Sequence, residues 1–419
     1  MNGPLHGIRV LDLTTFLSGP FATQILADLG ADVIKVESVD GDSSRAIPPH
    51  YVAGESVYYL STNRGKRSIV LNLKTSRGAD LAQRLVMQSD VVFENFRPGV
   101  AARLGLDRET LRERKQSLIW TSITGFGPVG EWSDRPAYDM IVQALSGVMS
   151  LTGHEGGPAA RLGIPAGDTV AGLFGVIGTL AAIQERGRTG LGAIVDVSML
   201  DSMLSMLAYQ AAYAGHTGVA PKPQGAAHDS IATYRSFKGS DGREFVVTAN
   251  TERMWRAMCE QLSLSHLIDD PRFESASSRR ENRIELSAIL DAAFLTAPST
   301  DWVDRLVAAE VPAAAIKNVP EALADARSRD RGMLVALKDA ATNEGFVGIA
   351  TPIEVDGARI TSDRYPPRLG ESSVEILRDV LDISSTDIDE LLRDSVVHQA
   401  ASGSREVSPD QSEGRRRKT

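Results

Sequence analysis

Residues 7–37 read GIRVLDLTTFLSGPFATQILADLGADVIKVE. Residues 7–13 form a short aliphatic and β-branched run, Ser18, Gly19 and Pro20 mark a turn, and residues 21–29 follow a helical period that stops at Gly30. Residues 32–37 are a second strand with the composition of a buried one. Strand, helix and strand in so short a span make a βαβ unit, whose parallel strands need a crossover and lie in a covered sheet. Outward from this unit, a helix is predicted over 78–88, a strand over 90–94, a short helix over 100–104 and a strand over 117–124. The first third is therefore a doubly wound α/β domain.

An apolar helix follows from Asp168 to about Arg186, with Gly172, Gly175 and Gly178 spaced by three. Glycines cost helix stability, so the row is expected to serve close approach by another backbone. Its apolar run, 170–183, is shorter than the roughly 20 residues of a membrane span and reads as a buried core helix. Residues 215–229 look like a linker. A hairpin over 232–237 and 244–249 and helices over 252–264 and 279–295 give a smaller α+β domain. A second linker-like region occupies 311–323, one more strand is predicted over 345–353, and a disordered tail is expected from Ala400.

The 419 residues suggest two or three domains. With 42% hydrophobic and 24% charged residues the chain is neither fibrous nor disordered. A net charge of −9 argues against nucleic acid as partner, since phosphate binding needs a cationic face. The single cysteine, Cys259, forms no internal disulfide, and no Cys/His spacing suggests a metal. A reducing, cytoplasmic setting fits, with no secretory leader and no membrane partner.

Three groups of residues can carry chemistry. The turn LTTFLSGP precedes a helix start, where N–H groups attract anions, although Ser18 as a cap and Pro20 at the first helical position explain it equally. Arg64, Lys66, Arg67, Lys74, Arg97 and Arg103 lie near strand ends and glycines, where ligands of open α/β sheets collect, or are surface charges. Within ENFRPG, residues 94–99, Asn95 leads out of a strand. The third group is GIPAGD, ending at Asp168. An Asp there is by default an N-cap; the same place keeps a carboxylate ionised at neutral pH and able to attack a thioester. His154, Asp196 and Asp201 read as surface or capping residues. From the residues alone, the chain is an α/β enzyme for an anionic cofactor, its reaction open.

Several segments together resemble the class III CoA-transferase family, also called CaiB/BaiF, which includes formyl-CoA transferase, carnitine CoA-transferase and α-methylacyl-CoA racemase. They are the opening βαβ unit, GDSSR (41–45), NRGKRSIVLNLK (63–74), ENFRPGVAARLG (94–105), SITGFGPVG (122–130), RPAYDMIVQALSGVMSLTG (135–153), GIPAGD (163–168) and PPRLGESSVEIL (366–377). The resemblance runs from Leu5 to about Leu392. It implies a Rossmann-like large domain over 1–200 completed by a C-terminal segment, 331–399, with linkers at 201–228 and 311–330 around a small α+β domain, 229–310. The tail is 400–419. It also implies an interlocked homodimer, no permanently bound cofactor, and acyl-CoA with a small carboxylic acid as substrates.

Carried onto this chain, the resemblance makes Asp168 the nucleophile. It assigns CoA to Leu17, Ser18, Leu71, Asn72, Leu73, Lys74, Asn95, Phe96, Arg97, Arg103, Ala137, Tyr138 and Asp139, with backbone N–H groups near Leu17 and Ser18 as oxyanion donors. The departures are Tyr138, where racemases carry His; Leu17, where formyl-CoA transferases carry Gln, which argues against oxalate; and Ser38, often Arg. The implied activity is transfer of CoA between carboxylic acids, with racemisation and CoA binding without catalysis as alternatives.

Overall fold

The computed structural model describes residues 3–325 and 331–399. The tail expected over 400–419, and part of the region 311–330, lie outside the described residues. The described residues form two compact units, one from 3–146, 162–208 and 331–399, the other from 147–161 and 209–325.

The first unit is built on a seven-stranded sheet in the order Val397–His398, Lys66–Leu71, Asp32–Glu37, Arg9–Asp12, Val91–Glu94, Ile119–Thr124, Ile194–Ser198. Every pairing is parallel except that of Val397–His398, which runs antiparallel to Lys66–Leu71. From Arg9–Asp12 the chain adds strands first to one side and then to the other. The crevice beyond the carboxyl ends of Arg9–Asp12 and Val91–Glu94 is therefore a topological switch point, where parallel sheets place ligands.

Alternation along the strands divides the core. Leu11, Ile34, Ile69, Val92 and Trp120 pack with Leu81, Leu85, Leu111, Ile376 and Leu391. Phe93, Ile123 and Val195 instead meet the long helix Ala166–Thr189 at its glycines. The glycine row serves two purposes, not the single one expected. A Cβ at Gly172 would stand 2.8 Å from the Ser18 carbonyl oxygen, so Gly172 does admit a neighbouring backbone. At Gly175 and Gly178 a Cβ would meet the Phe93 ring at 2.7 Å and the Val195 side chain at 2.5 Å, so these two admit sheet side chains. The helix spans 24 residues, longer than its apolar run, and by length and composition it could cross a membrane. Here one side of it is buried on the sheet and on the Ser18–Asp28 helix.

The strand Lys66–Leu71 is not evident in the sequence because it opens on two cations that read as surface charge. Those cations are structural. Arg64 pairs with Asp28 at 2.5 Å and Lys66 with Asp12 at 2.9 Å, all four side chains essentially buried. Arg67 bridges Asp32 at 2.7 Å and Glu375 at 2.9 Å. None of the three is left for a ligand's phosphates.

The second unit holds an antiparallel sheet in the order Ala313–Ala315, Glu244–Thr248, Tyr234–Lys238. The expected hairpin supplies two of its three strands. Its core gathers Phe237, Phe245, Trp255, Phe294 and Trp302, with the Trp302 indole N–H donating to the Phe294 carbonyl at 2.7 Å. Both stretches read as linkers carry structure. Residues 201–228 include most of the helix Met199–Ser205 and all of Tyr209–Thr217, and 311–330 include the third strand and the helix Val319–Ala324. Three consecutive alanines carry no strand signal; pairing with Phe245, Val246 and Val247 makes them a strand. The helix expected over 279–295 is two, Ala276–Glu281 and Arg283–Phe294, broken at Asn282.

Candidate active site

Neither residue expected to cap its helix does so. In the Ser18–Asp28 helix the cap position is Leu17, Ser18 is the first helical residue and Pro20 the third, because the chain turns earlier, at Phe16, with φ +71°. In the Ala166–Thr189 helix the cap position is Pro165 and Asp168 is the third helical residue. The N–H groups of its first turn are served from elsewhere: Asp139 Oδ1 accepts from Gly167 N–H at 2.7 Å. Asp139 itself heads the helix Asp139–Leu145, and its Oδ2 accepts from Gln143 Nε2 at 2.7 Å. With no capping duty, the Asp168 carboxyl takes a hydrogen bond from Ser18.

Asp168 does not behave as a routine helix-terminal carboxylate. Burial, with the negative charge of Asp139 second, pushes its carboxyl from the ordinary 3.8 up to about 7, and the Ser18 hydrogen bond only partly opposes this. The expectation of a fully ionised group at neutral pH is corrected: desolvation and a like charge outweigh the helix terminus. Tyr58 lies in the same field. Burial first, then the charges of Asp168, Asp139 and Asp42, push its phenol up to about 12. The Phe16 ring packs against both Tyr58 and Tyr138, at centroid distances of 5.4 and 6.2 Å.

Asp168 opens onto a cavity of about 220 Å³ that brings together Leu17, Ser18, Asn95, Phe96, Arg97, Ala137 and Tyr138. Thr15, Phe16, Ser43, Ser133, Arg135 and Met199 also line it, beside Pro98 and residues 123–125. Of these, Ser43 stands inside the GDSSR motif and Arg135 opens the RPAYD motif, while Phe16 and Met199 had no signal that separates them from core residues. A second, more apolar cavity of about 390 Å³ is lined by Leu71, Asn72, Leu73 and Lys74, and shares Thr15 and Phe96 with the first. Arg103 ends the short helix Val100–Arg103 and lines neither cavity. Asp139 lies beneath Asp168 and outside the cavity wall.

Two populations of cations result. Arg64, Lys66 and Arg67 are spent on internal carboxylates. Lys74, Arg97 and Arg103 are exposed, and among the described residues no ion pair or hydrogen bond engages their side chains. Of the other candidates, Asp196 pairs with Arg108 at 2.6 Å, Asp201 sits in the first turn of the helix capped by Ser198, and His154 is an exposed residue of the second unit.

A mostly parallel sheet, a perturbed carboxyl at its switch point and two neighbouring cavities, one lined by the unspent Arg97 and the other by Lys74, are the marks of an α/β enzyme acting on an anionic ligand. The chain belongs to CoA-transferase family III, which matches residues 5–373, and it is a transferase. It is 35% identical over 398 residues to the succinyl-CoA:glutarate CoA-transferase of Mus musculus, covering 94% of this chain and 91% of that one. It is 37% identical over 380 residues to the acetyl-CoA:oxalate CoA-transferase of Acetobacter aceti, covering 90% and 96%. The crystal structure of a CaiB/BaiF family protein from Brucella suis superposes with a TM-score of 0.81 at 36% identity, covering 91% of this chain and all of that one.

Proposed function

We propose that the protein moves CoA from an acyl-CoA thioester to a free carboxylic acid through covalent intermediates on Asp168. The observation that carries this reading is a solvent-reachable carboxyl pushed up to about 7 in a cavity flanked by a helix start and free cations. A carboxylate of that basicity is a better nucleophile than an ordinary one and is still half ionised at neutral pH.

The ionised Asp168 oxygen bonds to the thioester carbonyl carbon, and collapse expels CoA thiolate to leave a mixed anhydride. The thiolate then attacks the Asp168 carbonyl carbon, and the donor acid departs as its carboxylate, leaving an aspartyl-CoA thioester. The acceptor carboxylate attacks this thioester, thiolate leaves again, and its attack on the acceptor's carbonyl releases the new acyl-CoA and the free Asp168. No net proton is consumed. Each tetrahedral stage places negative charge on an oxygen that the N–H groups at Leu17 and Ser18 can take up. The larger apolar cavity suits the adenosine end of CoA, with Lys74, Arg97 and Arg103 for its phosphates. The names of the relatives favour dicarboxylic acids as cargo.

We assign an interlocked homodimer in the cytoplasm, with no permanently bound cofactor, to the same reading. A dimer is supported by the outward apolar faces of two helices beside the site, with Met140 and Ile141 on one and Leu173 and Ile177 on the other, each at least 45% exposed. A carboxyl near 7 would equally serve as a proton acceptor in racemisation. Incubation with acyl-CoA in deuterated water separates the two: a racemase labels the α-carbon, a transferase passes CoA to an added acid. Hydroxylamine trapping followed by mass spectrometry must find the adduct on the Asp168 peptide. Asp168→Ala should abolish transfer while leaving CoA bound, and full activity of that variant would overturn the mechanism.

A further inference from the structure

Between the first strand and the first helix, five successive backbone polar groups, from the Thr14 N–H to the Phe16 N–H, are each held by a side chain. Asp12 Oδ1 accepts from Thr14 N–H at 2.9 Å, and Lys35 Nζ donates to the Thr14 carbonyl at 2.7 Å. Asn95 clasps Thr15 from both sides, accepting its N–H at 2.9 Å and donating to its carbonyl at 2.8 Å. Asp42 Oδ1 accepts from Phe16 N–H at 3.1 Å. Its other oxygen lies 2.9 Å from Lys35 Nζ, an ionic contact between two side chains with no exposed surface. Phe16 itself sits at φ +71°, a left-handed backbone that a residue with a Cβ adopts only when its surroundings hold it there.

The grip ends at Phe16. Among the described residues no acceptor engages the N–H groups of Leu17 and Ser18, and both residues line the cavity of Asp168. A Lys and a carboxylate sequestered from water are a costly way to hold a loop that could be fixed by neutral groups. Their cost is explained if the turn must not relax when negative charge develops beside it.

We propose that Lys35 and Asp42 act as positioning residues: Asp42 keeps Phe16 left-handed through its N–H, Lys35 keeps Asp42 and Thr14 in place, and the N–H groups of Leu17 and Ser18 are thereby aimed at the oxyanion formed next to Asp168. The proposal rests on the aspartyl mechanism for what those N–H groups do. Neither side chain has exposed surface or lines the Asp168 cavity, although the backbone of Asp42 borders the second cavity. Asp42 also accepts from Ser44 N–H at 2.9 Å, so the same carboxylate fixes the segment that brings Ser43 to the cavity wall.

The test uses the full chain, succinyl-CoA with glutarate or whichever donor and acceptor a screen finds active, and four variants. Lys35→Met/Asp42→Ala removes both charges and the acceptor for Phe16. Its kcat should fall about 100-fold, as for loss of an oxyanion donor, with the KM for acyl-CoA changed less than about threefold. Lys35→Gln/Asp42→Asn keeps an acceptor and a donor without charge and should recover most of the rate. If the first double variant does not fold, Phe16→Asn and Phe16→Val decide: both lose the ring, but only Asn tolerates the left-handed backbone, so Val should be slower in kcat by about tenfold or more. Equal rates for Asn and Val, or a folded Met/Ala variant with parental kcat, would overturn the proposal. So would a loss confined to KM. Single-turnover hydroxylamine trapping keeps the two ideas apart, because absence of an Asp168 adduct in the parent enzyme defeats the mechanism, whereas parental adduct kinetics in the Met/Ala variant defeat the positioning role alone.

Discussion

Asp139 Oδ1 accepts the Gly167 N–H at 2.7 Å, so the helix that carries Asp168 is capped by a carboxylate 28 residues upstream. The same group anchors the candidate nucleophile's backbone and, through its charge, helps to raise its pKa. Transfer requires the ionised form of Asp168, so kcat/KM for acyl-CoA should climb as pH rises through about 7 and level off above it. Asp139→Asn keeps an oxygen for Gly167 but removes the charge, and should move that inflection to lower pH. An unmoved inflection would assign the shift to burial alone.

Stability should respond with the opposite sign. The folded carboxyl at about 7 lies above its unfolded value of 3.8. Between those two values the folded state binds the extra proton, so this group's contribution declines as pH rises toward 7 and is gone above it. Asp168→Asn, which is neutral throughout, should therefore raise the melting temperature at pH 8 and leave it nearly unchanged at pH 4. Thermal scans at the two pH values check this without reference to activity.

The two populations of cations should separate in experiment. Arg64→Met leaves the buried Asp28 without its ion pair and should cost about 3–5 kcal/mol of folding stability. Arg97→Ala should change stability by less than about 0.5 kcal/mol, yet raise the KM for acyl-CoA about tenfold, the worth of one charge-assisted contact to a phosphate. Urea titrations and initial rates on both proteins suffice. Loss of stability in the Arg97 variant would mean that its side chain is structural after all.

Within one helix, two glycines should behave oppositely. Gly172→Ala forces the helix away from the Ser18 carbonyl, costing about 1–3 kcal/mol and lowering kcat by moving Asp168 relative to Ser18. At Gly187, in the same helix, an added methyl group would have nothing within 4 Å and the backbone is ordinary, so Gly187→Ala should stabilise by about 0.5–1 kcal/mol without touching the rate. Denaturant midpoints and turnover numbers for the pair distinguish close packing from a general intolerance of the helix.

Residues 7–37 were sufficient by themselves to reveal the opening βαβ unit of the parallel sheet, because strand, turn and helix there are written in local periodicity and punctuation. The motif order likewise led to the family and singled out Asp168, Ser18 and Arg97. Three features depended on distant partners. Lys66–Leu71 became a strand because Asp12 and Asp32 neutralise its opening cations, Ala313–Ala315 because a neighbouring strand supplies its hydrogen bonds, and Asp168 stayed free of capping because Asp139 reaches Gly167. Local sequence carries propensity and spacing, whereas the protonation of a carboxyl depends on what excludes water from it and which charges surround it. For Asp168 those are burial and Asp139, and only the tertiary fold brings them together.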